Sequence, residues 1–402
     1  MTESSEPTKR RGLLRRVVVV MLILASLSCG WGLFYHGYSR RKIAELESAT
    51  EAAYKAKDWE QLERMALEWF QWQPEIAKPL LFAANAASQR NDAIRQSLYL
   101  FNLPDEDPQS VVGLLELSQI QFSVLFDPIA GEATCHRILR IDPKVGESYR
   151  RLGFYYAMSR QRARLIGIAR EAINQGKETP DSYVYLMGAD WLVFSNGRQL
   201  NSQWLQSAPT NETFQVAAAI HFTATAAMTE TSQGESGREQ TEKVMQELLA
   251  RFPKNIEALA LHLNAACYRG QVDQVIQLLE QAPPESATDS RFWTFKGWVH
   301  EQREELEEAE KSYLKALELY PYDEKAYHWL AGVYRQTNEL KKSAKYEQIS
   351  VLGTEIKREA LQLADTQSLP RELMEKMVKY ATAAGDSQIA KALQTRLNKS
   401  SP

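Results

Sequence analysis

Six histidines and three cysteines are the residues of this 402-residue chain on which metal binding or nucleophilic catalysis would have to rest: His36, His136, His221, His262, His300, His328, Cys29, Cys135 and Cys267. A metal site needs several such ligands converging, commonly two histidines one helical turn apart or a Cys-x-x-Cys pair. No two of these histidines stand at i, i+4, and no Cys-x-x-Cys occurs. Cys135 and Cys267 sit singly in helical patterns, far apart in the chain, which suits small buried thiols and implies no disulfide framework. His-Glu-x-x-His, Gly-x-Ser-x-Gly, the phosphate-binding loop and the dinucleotide glycine fingerprint are all missing. The acidic run Glu304, Glu305, Glu307, Glu308 falls where a hairpin turn and the start of a helix are expected, and carboxylates favour the positive end of a helix. The residues therefore call for no catalytic site, no metal, no cofactor and no small-molecule substrate, and the chain is expected not to be an enzyme.

Composition is that of a folded protein, with 44% hydrophobic and 25% charged residues. The formal net charge of −3 hides an asymmetry: residues 1–42 hold eight bases and two acids, so the rest of the chain carries about −9. An acidic body is a poor match for phosphate backbones, which bind clustered cations, so no nucleic-acid partner is expected.

Val17 to Tyr35 reads VVVVMLILASLSCGWGLFY, without a charge. Such a stretch reaches roughly 28 Å as a helix, enough to cross a bilayer core of about 30 Å. Trp31, Phe34, Tyr35 and Tyr38 gather at one end, where amphipathic rings prefer the interface. Five bases precede the run and three follow it, so residues 1–16 are expected as a basic cytoplasmic tail and 17–35 as a transmembrane signal anchor. A cleaved secretory signal ending near Trp31 and a lipoprotein signal ending at Cys29 are the alternatives. All three put the body outside the cytoplasm, in the periplasm if the source is bacterial.

The body repeats. The clearest unit begins at Ser290, with Trp293, Gly297, Ala309, Tyr313, Ala316 and Pro321. The next follows one period later with Tyr327, Leu330, Ala331 and Tyr334, and an earlier one carries Tyr149, Leu152, Gly153 and Tyr156. Prolines keep the phase of a period of about 34 residues. Pro74 and Pro143 stand two periods apart, as do Pro253 and Pro321, while Pro143 and Pro253 stand three periods apart with a short excess. The excess is expected to be a loop in the polar stretch Thr229–Gln240. Asp181–Phe194 is expected as one apolar helix, and residues 370–397 as a last hairpin turning at Gly385-Asp386.

The spacing of an aromatic, a small residue, further aromatics and a closing proline resembles the tetratricopeptide repeat family, whose units are helical hairpins of about 34 residues. Lys296 and His300 depart from its pattern. The resemblance covers nearly all of residues 43–397. It implies an all-α fold: a right-handed superhelical solenoid of about nine to ten helix-turn-helix repeats over 43–357, closed by the C-terminal hairpin, with contacts only between neighbouring units. Members of the family bind other proteins, peptides or helical segments, in a groove lined by first helices. Carried onto this chain, the groove positions are Arg150 and Phe154, then Thr294 and Trp298, then Lys325, His328 and Arg335. Asn264 and Lys325 stand where relatives grip a terminal carboxylate, but Phe295 and Trp329 replace the polar residues of that clamp. The chain is thus expected to be a membrane-anchored interaction scaffold. The alternative is a structural spacer or accessory subunit of an envelope assembly, secretion or cytochrome-maturation complex. A reporter active only outside the cytoplasm, fused after Pro402, should be active; a silent one, with a cytoplasmic reporter active in its place, reverses the orientation.

Overall fold

Each hairpin is set by one backbone feature. A residue with positive φ stands two positions before a second helix at Lys57, Asn91, Phe126, Arg160, Gly270, Glu304, Asn338 and Gly385. Its left-handed conformation stops the first helix and reverses the chain within two residues. Neighbours in this series stand one period of about 34 residues apart from Lys57 to Arg160, and again from Gly270 to Asn338. The same register was carried in the sequence by the prolines.

The computed structural model describes Met21 and residues 35–399, apart from 364 and 367, and only the backbone of 227–238. All its regular elements are helical. They are α1 (residues 35–56), α2 (Trp59–Trp72), α3 (Lys78–Gln89), α4 (Ala93–Phe101), α5 (Ser110–Ser123), α6 (Pro128–Ile141), α7 (Gly146–Met158), α8 (Arg162–Asn174), α9 (Pro180–Met187), α10 (Gly197–Ser207), α11 (Glu212–Arg251), α12 (Ile256–Tyr268), α13 (Val272–Gln281), α14 (Ser290–Gln302), α15 (Leu306–Leu319), α16 (Glu324–Gln336), α17 (Leu340–Ala360), α18 (Arg371–Ala383) and α19 (Ser387–Lys399), with a 3-10 turn at Pro284–Thr288. No strand occurs among the described residues. None of their helices is long and apolar enough to cross a membrane. The basic tail 1–16 and the span expected at 17–35 lie outside the described residues, but for Met21 and Tyr35.

The chain forms two compact units, residues 1–120 and 121–402. In the first, α1 to α4 bury Leu46, Leu62, Ala66, Trp69, Leu80 and Leu100. Glu63 of α2 is drawn into this packing because Arg90 and Tyr99 both donate to it. In the second, the pairs α7/α8, α12/α13, α14/α15 and α16/α17 share the same left-handed turn two residues before the second helix. Gly297 explains the small residue of the repeat: a Cβ there would lie 2.6 Å from the Tyr313 ring of α15.

Three expectations are corrected. The polar stretch 229–240 is no loop, for α11 runs as one 40-residue helix through it. Its Glu, Gln and Arg are good helix formers, and two isolated glycines cost only about 1 kcal/mol each. The apolar segment 181–194 is not one helix: α9 ends at Gly188, and residues 189–196 continue as an irregular strap. Contacts are not confined to neighbouring units. In the second unit the Tyr320 hydroxyl donates to the Leu186 carbonyl at 2.8 Å, Arg170 pairs with Asp386 at 2.8 Å, and the Tyr322 hydroxyl bonds the same Asp386. One apolar core joins α6–α9 to the end of α15 and to α17–α19 through the buried rings of Tyr320, Tyr322 and Tyr380. Gly297→Leu should lower stability by about 1–3 kcal/mol, the usual cost of overpacking, in denaturant unfolding; an unchanged midpoint shows that α14 and α15 can part without loss.

Candidate functional site

The first helices α12, α14 and α16 begin at one register, with Asn255, Asp289 and Asp323 as N-caps at the same repeat position. Each cap accepts backbone N–H groups of the following turn, which satisfies donors the helix cannot. Just inside each helix, one repeat position holds Glu257, Arg291 and Lys325, and a further one, a helical turn on, holds Leu261, Phe295 and Trp329. Most of these side chains face a cavity of about 360 Å³, completed by Ile220 and Ala224 of α11, Lys357 of α17, and Asp190, Trp191 and Val193 of the strap.

Charges are concentrated at the strap side. Arg291 makes two parallel hydrogen bonds to Glu257, both 2.8 Å, and a third to Asp289 at 2.7 Å. Arg162 donates to Asp190 through two nitrogens and to the Ser290 hydroxyl at 2.8 Å, and stacks over the Tyr320 ring at 4.5 Å. Arg160, in the left-handed turn, donates to the Leu192 and Asp190 carbonyls of the strap, while its Nε has no partner. Burial pushes the Asp289 carboxyl up, but Arg291 and Arg162 more than offset this and hold it well below the usual carboxylate range. Asp190 is held low in the same way, burial being outweighed by Arg162. Asp323 has no such cation. Burial, with the charges of Asp190 and Glu324, pushes it up to about 6, although the Thr294 hydroxyl donates to it at 2.7 Å.

The strap is fixed. Its Ala189 and Leu192 are buried, and the Phe194 N–H donates to Nδ1 of His221 at 3.3 Å. The other ring nitrogen of His221 donates to the Met158 carbonyl at 2.9 Å. Burial pushes His221 down to about 4, so this histidine is a neutral bridge within the core. No group of side chains able to hold a metal ion occurs among the described residues.

The groove positions carried over from the repeat pattern scatter. Arg150 is tied to Glu147 by two hydrogen bonds at 2.8 and 2.6 Å, and Phe154 is 37% exposed; both lie on α7, away from the cavity. Trp298 is 7% exposed and packs with Phe292, Phe295 and Val299, so it is core and not an exposed anchor. Thr294 is buried on Asp323. His328 and Arg335 are exposed, each 3.6 Å from Glu347 of α17. Only Lys325, with Thr294, lines the cavity. Its ammonium donates to Asn264 at 2.6 Å and lies over the ring of Tyr268, which is 76% exposed. Arg160, Asp190, Glu257, Tyr268, Asp289 and Arg291 were not singled out from the sequence. The once-per-repeat column of Glu257, Arg291 and Lys325 was the available signal for two of them.

The tetratricopeptide repeat family matches residues 290–323. These residues, α14 and α15, are therefore a tetratricopeptide repeat, a unit that generally mediates protein–protein interactions. No curated protein sequence matches the chain. Solved structures similar to it include pilF of Pseudomonas aeruginosa, with 14% identity over 60% of this chain and 92% of that one and a TM-score of 0.31. A tetratricopeptide repeat protein of Parabacteroides merdae has 11% identity over 76% and 99%, with a TM-score of 0.27. Yeast Tom70 has 12% identity over 88% and 92%, with a TM-score of 0.27.

Asp323 generates a pH test. Below about pH 4 both folded and unfolded forms carry its proton. As pH rises towards 6 the unfolded form loses that proton and the folded form keeps it, so stability falls through this window and is then level. Asp323→Asn keeps the cap and removes the penalty. Its stability relative to wild type should rise by about 3 kcal/mol between pH 4 and 7, at about 1.36 kcal/mol per pKa unit. A pH-independent difference in denaturant unfolding contradicts the raised carboxyl.

Proposed function

We propose that this protein is a scaffold that binds segments of other proteins in the groove of α12, α14 and α16, and that residues 17–35 hold it at a membrane with the helical body outside the cytoplasm. The observation that carries the groove assignment is the mouth of the cavity. There an exposed tyrosine, Tyr268, stands beside the Asn264 amide and the Lys325 ammonium, over walls that include Leu261 and Phe295. An exposed aromatic ring flanked by polar donors, above an apolar pocket, is the composition of a binding hot spot. Phe154 on α7 is a second exposed ring outside this cavity.

A photo-cross-linking residue placed at Tyr268 in the membrane-bound chain should capture a defined partner segment, whereas one placed at Glu304, in the outer turn between α14 and α15, should not. Tyr268→Ala should reduce partner capture several-fold with the fold intact by circular dichroism, and Phe154→Ala should leave it unchanged. Capture that is equal from both positions, or indifferent to Tyr268→Ala, removes the groove from the proposal.

A further inference from the structure

We propose that the cavity beneath the groove is a side-chain pocket for an acidic residue adjoining an aromatic one within a partner segment, which deepens and rests on the groove reading above. Its walls supply the apolar half: Ile220, Ala224, Leu261 and Phe295 face Trp191 and Val193 of the strap. Its volume, about 360 Å³, is at the lower end for ligand pockets, a size for side chains. The strap makes a fixed floor, because Arg162 holds Asp190, Arg160 holds the Leu192 carbonyl and His221 holds the Phe194 amide.

The ionic half follows from which charges are already answered. Among the acids, Asp190 accepts from Arg162, Glu257 from Arg291, and Glu324 from Lys357 at 3.1 Å. Asp323 accepts from the Thr294 hydroxyl and from the amides of Lys325 and Ala326. The cations are less complete. Lys325 has three donors, and its side-chain acceptor is the neutral Asn264. Arg160 is 8% exposed, bonds only backbone carbonyls, and leaves its Nε unmatched. Neither has a carboxylate within ion-pair distance among the described residues. The unmet demand in the cavity is therefore for a carboxylate, and a carboxylate brought out of water needs a charged donor of this kind. The strap's Asp190 and Trp191 are part of these walls, and the Asp190 carboxylate is already held by Arg162, which lies outside the lining. At the mouth, the Asn264 amide is placed for the backbone of a chain that continues past the pocket.

The test uses the full chain in detergent and eight-residue peptides, acetylated and amidated, with a central Asp-Trp, Asn-Trp or Asp-Ala, and a fourth peptide without Asp that ends in a free Trp carboxylate. The Asp-Trp peptide should bind about ten-fold more tightly than the Asn-Trp and Asp-Ala peptides, the scale of one charge-assisted hydrogen bond. Lys325→Met, which keeps the stem and removes the charge, should bring the Asp-over-Asn preference below about two-fold, and Leu261→Trp should block binding by filling the cavity. Equal affinity for Asp-Trp and Asn-Trp, or a preference that survives Lys325→Met, overturns the pocket. So does a free-carboxylate peptide that binds as well as Asp-Trp, which would make the ligand a chain end. If none of the peptides binds while cross-linking at Tyr268 still captures its partner segment, the pocket falls and the groove stands; loss of that capture removes the groove itself.

Discussion

A single left-handed residue at each hairpin turn is the constraint on which the architecture depends. It fixes the reversal of the chain to two residues, so the length of one helix sets where the next must begin. With the first helices α12, α14 and α16 each 13 residues long, side chains one repeat apart stack in columns. Those columns are what turn a set of hairpins into a surface. Asn255, Asp289 and Asp323 cap successive helices, and the next column places an acid and two bases side by side. Glu257 and Arg291 can meet through two matched hydrogen bonds only because the turns hold their helices in register.

Where the regular columns meet the irregular part of the chain, packing alone does not suffice. Residues 160–162, 190, 257 and 289–291 come from widely separated parts of the sequence and are joined by guanidinium–carboxylate pairs. Burying such charges contributes little net stability, but breaking one pair in place costs about 3–5 kcal/mol. The cluster therefore discriminates between arrangements more than it stabilises one. An alternative docking of the strap would strand at least one of Arg162, Asp190 and Arg291 without its counter-charge.

The helical class and the repeat phase were legible because they rest on local residues: Gly297 against Tyr313, and prolines that end second helices. The turns were less so. Of the eight left-handed residues, Gly270 and Gly385, and after them Asn91 and Asn338, have residue types that this conformation favours; Lys57, Phe126, Arg160 and Glu304 are held there by their hairpins. Asp181–Phe194 misled because its apolar run is buried on several sides, partly as helix and partly as strap, and burial of that kind has no period. Thr229–Gln240 misled because its Gly and Ser suggest a turn, whereas its Glu, Gln and Arg are the helix formers that decide its conformation. Trp298 was legible as a large ring on a first helix, but its direction depends on Phe292, Phe295 and Val299 together. Arg162 and Ser290 are 128 positions apart, and nothing local in either announces that they touch.

The tyrosine-lined closure between α8–α9 and α15–α19 has a consequence for how the second unit comes to be made. A row of hairpins touching only its neighbours can fold progressively as it is synthesised, and can fray from either end. Here Asp386 is needed by both Arg170 and Tyr322, and Arg396 reaches back to the carbonyl of Glu178. Contacts of that sequence separation carry a large loop-closure cost and form late. The faces of α8 and α9 must wait, uncovered, until the last hairpin has left the ribosome. The core that these elements share is complete only with that hairpin in place, and its loss would expose the middle of the chain rather than trim its end.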